Sequence, residues 1–446
     1  MNSEWREIIF SEAVEINPYR LLKKGTDAPF ISIPFVEPNR RKPIKIARKK
    51  YSGGGAKFRN GDTLLARITP CLEHGKTVFV SDLKKEEVGF GSTEFIVLCG
   101  REGITDNLFV YYLCRYDEVR NFAIKSMSGT SGRQRVQVDA FNHLKIKIPP
   151  LSEQRKIVEI LGSLDDKIEL NYEMNKILEA MAKAIFKSWF VDFEPFKDEL
   201  VYDKELGKEI PKGWRMGQLG EILAEIESGS RPSGGVSSIT SGIPSIGAEH
   251  IIGLGRFDYS KTKYVPEKFF REMKRGRIKN GDVLLYKDGA QIGRKTYFDY
   301  DFPFEKCCIN EHVFILRTNG RVTQKYLYFW LDQEWITKCL INLSLTSAQP
   351  GLNQESVKTI PMLIPEKEVV NQFDRVLEPF IALIFTNAKE TRILEQIRDS
   401  LLPKLLSGEI RVKVDVEKEF PEEAKKLKEI EEEKVKLQGP LNRWLK

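Results

Sequence analysis

The chain has 446 residues, 41% hydrophobic and 30% charged, with 71 Lys/Arg against 64 Asp/Glu and a formal net charge of +7. No apolar run approaches the ~18 residues of a membrane helix and no secretory leader opens the chain, so a soluble, cytoplasmic protein is expected. Six cysteines without a CxxC spacing and only 4 histidines argue against a zinc site or a disulfide framework.

Residues 1–148 carry more Lys/Arg than Asp/Glu. Short β-like runs at Phe30–Ile33, Thr63–Ile68, Thr77–Val80 and Phe95–Leu98, with one helix over about 107–120, predict an α+β globule. Seven cations (Arg40, Arg41, Lys42, Lys45, Arg48, Lys49 and Lys50) crowd one stretch, followed by Gly53-Gly54-Gly55, Lys57 and Arg59. Beside a glycine loop such a run suits phosphate contact, because neutralising phosphates supplies most non-specific affinity for DNA; a solvated edge is the plain alternative. Arg67 and Lys76 are further candidates. The polar loop from Ser128 carries Arg133, Gln134 and Arg135, side chains suited to base edges: Arg to guanine O6/N7, Gln to adenine N6/N7.

Ile148-Pro149-Pro150 then introduces residues 149–190, a predicted long helix with Ser152 as N-cap and Glu153 in its first turn. Ile157, Ile160, Leu164, Met174, Leu178, Met181 and Ile185 follow a 3.5-residue period, the mark of a coiled coil. Met174, Met181, Phe186, Trp189 and Phe190 exceed what a two-helix seam needs and are candidates for a partner-subunit interface; packing onto the chain's own globule is the alternative. Residues 191–213 read as an irregular acidic connector.

A second basic globule over 214–364 has strands expected at Val283–Tyr286 and Val313–Leu316 and a helix near 323–340. Its candidate DNA contacts are Lys287, Arg294, Lys295 and Gln349, the first three being rough counterparts of Arg67 and Lys76. Residues 365–406 form the second long helix, with Phe373, Val376, Phe380, Leu383, Leu394, Ile397 and Leu401 in register and Pro379 predicting a kink or late start. The tail, 407–446, has a strand-like Ile410–Val414 and a charged helix from Pro421 to about Leu437, expected to be a solvated appendage.

The second half repeats the first. Ser128-Gly129-Thr130-Ser131 returns 216 residues later as Ser344-Leu345-Thr346-Ser347, Ile148-Pro149 as Ile364-Pro365, and Leu178-Glu179 as Leu394-Glu395. Upstream, Trp5-Arg6 answers Trp214-Arg215 and Asn60-Gly61-Asp62 answers Asn280-Gly281-Asp282. Units this long are duplicated domains rather than solenoid repeats. The expected fold is therefore two similar α+β globules joined by two long helices in an antiparallel coiled coil about a pseudo-two-fold. Asn171 and Asn387 occupy one position of the repeat and are expected to meet as a register-fixing pair. Such helices would space two DNA-binding globules about one turn of duplex or more apart.

Gly75-Lys76-Thr77 resembles the end of a Walker A loop, but Pro70 stands where the first glycine belongs. Asn17-Pro18-Tyr19 lacks the second proline of a methyltransferase motif, and no GxGxxG follows a strand. No catalytic residue and no metal site is assigned.

Ile148-Pro-Pro-Leu-Ser-Glu-Gln154, Trp189-Phe-Val-Asp-Phe193 and Leu401-Leu-Pro-Lys-Leu-Leu-Ser-Gly408, together with the duplicated plan, resemble the specificity (S) subunit of type I restriction–modification enzymes. The resemblance implies two target-recognition domains, each reading half of a split DNA site, and helices that bind two methylation (M) subunits. Restriction (R) subunits would join the complex, with S-adenosylmethionine, ATP and Mg held by the partners and no cofactor in this chain. The second copy departs at Pro365-Glu-Lys-Glu-Val-Val, which lacks the Pro-Leu-Ser-Glu-Gln string, so the two helix starts need not be equivalent. Two competing readings are a fused methyltransferase–nuclease, disfavoured by the missing motifs, and a scaffold whose basic globules bind DNA without sequence preference.

Overall fold

The computed structural model describes residues 5–204, 207–345, 351–412, 418 and 420–444. It divides into two compact units, 1–171 with 391–428 and 172–390 with 429–446, each containing one globule and part of both long helices.

In the first unit, four strands form an antiparallel sheet in the order Val14–Ile16, Phe95–Gly100, Thr63–Ala66, Thr77–Phe79. Thr63–Ala66 is buried at every residue, as befits a central strand covered on both faces. A second sheet runs Ala47–Lys50, Asp27–Ile31, Gly89–Gly91, Ala56–Phe58, and its middle pair is parallel. Arg6–Ile9 pairs with Lys145–Ile148, so the globule's first and last strands lie side by side and the chain leaves directly into the long helix.

The second unit repeats this order. Its four-stranded sheet is Leu223–Ser228, Val313–Thr318, Asp282–Tyr286, Lys295–Phe298, and Arg215–Gln218 pairs with Pro361–Ile364. The other sheet keeps Lys263–Val265, Ile243–Ile246 and Cys308–Ile309, again with one parallel pair. Its fourth strand shrinks to a single bridge between Arg277 and Cys308. The repeated Asn-Gly-Asp is a turn: Gly61 and Gly281 have φ of 90° and 85°, a backbone that favours glycine. Asp62 and Asp282 each accept the amide three residues back at 2.8 Å, from Arg59 and Lys279. Burial pushes both carboxyls up, against the pull of Arg20 on the first and Arg317 on the second.

Each globular helix expected as one is two: Asn107–Arg115 and Asp117–Lys125, then Gln324–Asp332 and Glu334–Leu345. The connector is not irregular; it holds a 3-10 turn, Glu194–Glu199, and a hairpin of Leu200–Asp203 with Lys208–Pro211.

The long helices are Leu151–Phe190 and Lys367–Ser407. Their starts are matched at the 216-residue offset despite the missing Pro-Leu-Ser-Glu-Gln string, and the second begins ahead of Pro379 rather than at it. In the first helix the buried apolar residues are Ile157, Leu161, Ile168, Leu178, Ala182, Phe186 and Phe190. From Leu178 onward every fourth residue points inward, a ridge packed on a globule as much as a seam. Residues 380–388 of the second helix are buried all round, which makes that stretch a core helix of its unit.

The helices run antiparallel within each unit. In the first, Asn171 Nδ2 donates to Thr391 Oγ1 at 3.3 Å and Arg398 Nη1 to Asp165 Oδ1 at 2.9 Å. In the second, Asn387 Nδ2 donates to Asn175 Oδ1 at 2.8 Å. Within each unit the antiparallel register thus sets position 171 opposite 391 and position 387 opposite 175, the same pair of repeat positions in both.

The charged C-terminal helix, Pro421–Trp444, is not a solvated appendage. Ile430 and Leu441 are buried in the second unit, Leu437 packs there too, and between them the buried Lys434 ammonium meets Glu390. The spacing 430, 434, 437, 441 is a heptad stripe with one position filled by a paired lysine. Of the strand-like Ile410–Val414, residues 413 and 414 lie outside the described residues and 410–412 form no strand.

Candidate nucleic-acid interface

In the first globule two loops are zipped together at one edge of the four-stranded sheet. Ser128 and Arg135 exchange backbone bonds at 3.0 and 2.9 Å, closing a hairpin whose Gly129 and Gly132 have positive φ. That hairpin is tied to the loop 67–76: the Thr69 amide donates to the Gln134 carbonyl at 3.0 Å and the Val136 amide to the Arg67 carbonyl at 2.9 Å. The Arg67 amide donates in turn to the Glu94 carbonyl at 2.9 Å, and the Ala66 amide to the Lys76 carbonyl at 3.1 Å.

The second globule repeats three of these bonds. Lys287 donates to the His312 carbonyl at 3.1 Å, Leu352 to the Lys287 carbonyl at 2.7 Å, and Tyr286 to the Arg294 carbonyl at 2.8 Å. Arg67 therefore corresponds to Lys287, and Lys76 to Arg294, backbone bond for backbone bond. The scaffold is duplicated while its side chains differ.

What those side chains do divides the sequence candidates. In the first loop pair, Arg135 is clamped on Glu94 through three bonds of 2.7–3.1 Å and shapes the hairpin. Arg67 Nη2 donates to the Val136 carbonyl and Lys76 to the Ile33 carbonyl, both at 3.1 Å. Arg133 is exposed at the hairpin tip, and its guanidinium makes no ion pair among the described residues; Gln134 beside it is half-buried. In the second loop pair, Lys287 lies 5.1 Å over the Phe314 ring and Arg294 is exposed. His312 fills the position of Glu94, bonded through Nδ1 to Asp288 at 2.6 Å, with Glu311 at 3.3 Å from Nε2 and Arg231 on Glu311 at 2.7 Å. Gln349 lies outside the described residues.

Several expectations need correction. Arg40 and Arg41 do not offer themselves to phosphate: both are buried, Arg40 Nε on Glu169 at 3.0 Å and Arg41 on Asp166 and the Gly162 carbonyl. They anchor the globule to its helix, since a buried charge is tolerable only when paired. Lys295 is buried too, bonded to Thr337 at 2.6 Å, and burial pushes its ammonium pKa down. Lys42 pairs with Asp82 at 3.0 Å, and Arg48 with Asp27 and Glu87 at 2.8 and 2.9 Å, all near the surface. Lys45 and Lys57 rest 5.8 Å over Phe35 and Tyr51, and Arg59 is exposed. Met174, Met181, Phe186, Trp189 and Phe190 pack into the second unit's own core, Phe190 edge-on to Tyr326 at 4.7 Å, so they form no free partner face.

Sequence reasoning also passed over Lys274 and Arg275, both exposed. They lie in the segment 266–276, which replaces the Gly53–Gly55 loop of the first globule. The run Arg271–Lys279 carries five cations and was the available signal.

The family model described as the type I restriction modification DNA specificity domain matches this chain twice, over residues 2–180 and 211–398. The chain belongs to that family. Relatives include the type I restriction enzyme MjaIX specificity subunit of Methanocaldococcus jannaschii, 29% identical over 314 residues, covering 70% of this chain and 71% of the relative. The HindI specificity subunit of Haemophilus influenzae is 27% identical over 441 residues, covering 85% and 94%. Among solved structures, the type I restriction–modification S subunit from M. genitalium shares the fold with a TM-score of 0.54 at 14% identity, covering 91% of this chain and 96% of that one. The specificity subunit is accordingly a two-domain DNA target-recognition subunit, non-catalytic by itself. Among the described residues, no helix is long and apolar enough to cross a membrane.

Proposed function

We propose that each globule reads one half of a bipartite DNA sequence through its zipped loop pair, with the long helices serving as the spacer. One observation carries this: three backbone bonds of the first loop pair recur in the second, yet Arg133 and Gln134 stand on one, and Lys287, Asp288, Arg294 and His312 on the other. Matched scaffolds with different donors and acceptors suit two different half-sites, whereas non-specific phosphate binding has no use for the difference. The specificity subunit delivers two M subunits to that site and R subunits complete the assembly; S-adenosylmethionine, ATP and Mg enter through those partners. The relatives' membership of type I restriction enzymes supports this.

Selection from a random duplex library, using this chain with its methylation partner, should recover two short constant blocks separated by a gap of fixed length. Arg133→Ala should relax one position of one block, at a cost of about 1–3 kcal/mol, and leave the other block unchanged. Uniform recovery, with affinity that follows only salt, would reduce the protein to a scaffold with basic globules.

A further inference from the structure

The helices Asn107–Arg115 and Gln324–Asp332 have nine residues each and follow corresponding strands. They are fastened alike: the Gly100 amide donates to Asn107 Oδ1, and the Thr318 amide to Gln324 Oε1, both at 2.8 Å. Their last residues therefore correspond. In the first unit that residue is Arg115, 3.6 Å from Asp399 of the second long helix. In the second it is Asp332, 2.9 Å from Lys183 of the first long helix. Lys183 and Asp399 are themselves 216 residues apart, the same position of the repeat. One ion pair is kept in both units with the sign exchanged at both ends.

We propose that this reversal is a key that fits each globule to one stretch of helix and rejects a second copy of the same half. Brought to the other seat, Arg115 meets Lys183, and Asp332 meets Asp399. Like charges facing each other select against a wrong partner, as the attraction selects the right one. The rest of the seat has the same logic. Arg40 and Arg41 dock on Glu169 and Asp166, whose counterparts are Phe385 and Ala382. Phe385 lies among Tyr297, Tyr300 and Phe302, at ring distances of 5.5–6.0 Å. An exchanged first globule would press two buried arginines onto hydrocarbon with no carboxylate opposite. The inference does not depend on how DNA is read.

Thermal unfolding of the full-length chain tests it. Arg115→Asp and Asp399→Lys are each expected to lower Tm by about 2–4 °C. Each single should also fall below the neutral control Arg115→Gln with Asp399→Asn, and the excess should shrink at high ionic strength. The double variant Arg115→Asp with Asp399→Lys, which installs the other unit's orientation, should regain at least half of the summed loss. A double variant that loses the full sum, or singles no worse than the neutral control, overturns the proposal. Should Asp399→Lys fail to fold beside Arg398, the half-exposed Lys183 supplies the same comparison: Lys183→Asp must unfold earlier than Lys183→Gln.

Discussion

At four matched positions the two units solve one packing problem with opposite chemistry. Gln154, Asp165, Glu169 and Arg398 in the first unit correspond to Val370, Ile381, Phe385 and Ala182 in the second, and all eight are buried. Gln154 binds the helix start to the globule, accepting the Asp106 amide and donating to the Ile104 and Pro149 carbonyls. Asp165 takes Arg398 and the Tyr112 hydroxyl. The second unit fills the same volumes with hydrocarbon and aromatic rings. A buried ion pair and a well-packed apolar pair are of similar stability, but losing one partner of the ion pair leaves a buried charge uncompensated. The first unit is therefore the more selective about what sits on its helices.

The sharpest way to break this comparison is Arg398→Ala, which strands Asp165 and should cost about 3–5 kcal/mol in denaturant unfolding. Asp165→Ile combined with Arg398→Ala imports the second unit's residues and should recover most of that loss; no recovery would mean that the two seats are not equivalent volumes. Lys434→Ala probes a buried charge pair of the second unit, removing the ammonium that meets Glu390 at a cost of about 3 kcal/mol. If unfolding is unchanged, the C-terminal helix is not part of that core.

Glu395 and Glu179 are the same residue at matched positions, but Glu179 is partly exposed and Glu395 is buried. Burial pushes the Glu395 carboxyl up to about 7 from its ordinary 4.5. The folded chain thus holds this proton longer than the unfolded one. The stability it contributes is full below pH about 4.5 and is lost as pH rises through about 7, on the order of 3 kcal/mol across that window. Glu395→Gln should flatten the stability profile there; an unaltered slope would remove Glu395 as its source. The smallest effect is expected at the asparagines. Asn171→Ala and Asn387→Ala should each cost about 1 kcal/mol, the net value of a typical hydrogen bond. A large difference between them would show that only one of the matched pairs holds the register.

The loop pairs show how much was legible. The duplication pointed to them, since Ser128-Gly129-Thr130-Ser131 opens the first hairpin, and Lys287, Arg294 and Lys295 were set roughly against Arg67 and Lys76. Which cations are free was not legible. Arg40 and Arg41 look like the best phosphate ligands in the chain, yet their carboxylates lie more than 120 residues away on a helix. Lys434 hid an apolar stripe for the same reason: its partner, Glu390, is distant in sequence.

The sequence by itself determined the duplication, the two long helices, the basic globules and the family. These rest on periodicity, turn chemistry and repeated strings, all local or self-referential properties of the chain. Only the tertiary structure decided which charges are consumed in anchoring, which asparagine faces which residue, and that one ion pair is kept with its sign reversed. A charge's role depends on what lies within a few ångströms of it, and for these residues that neighbour comes from elsewhere in the chain.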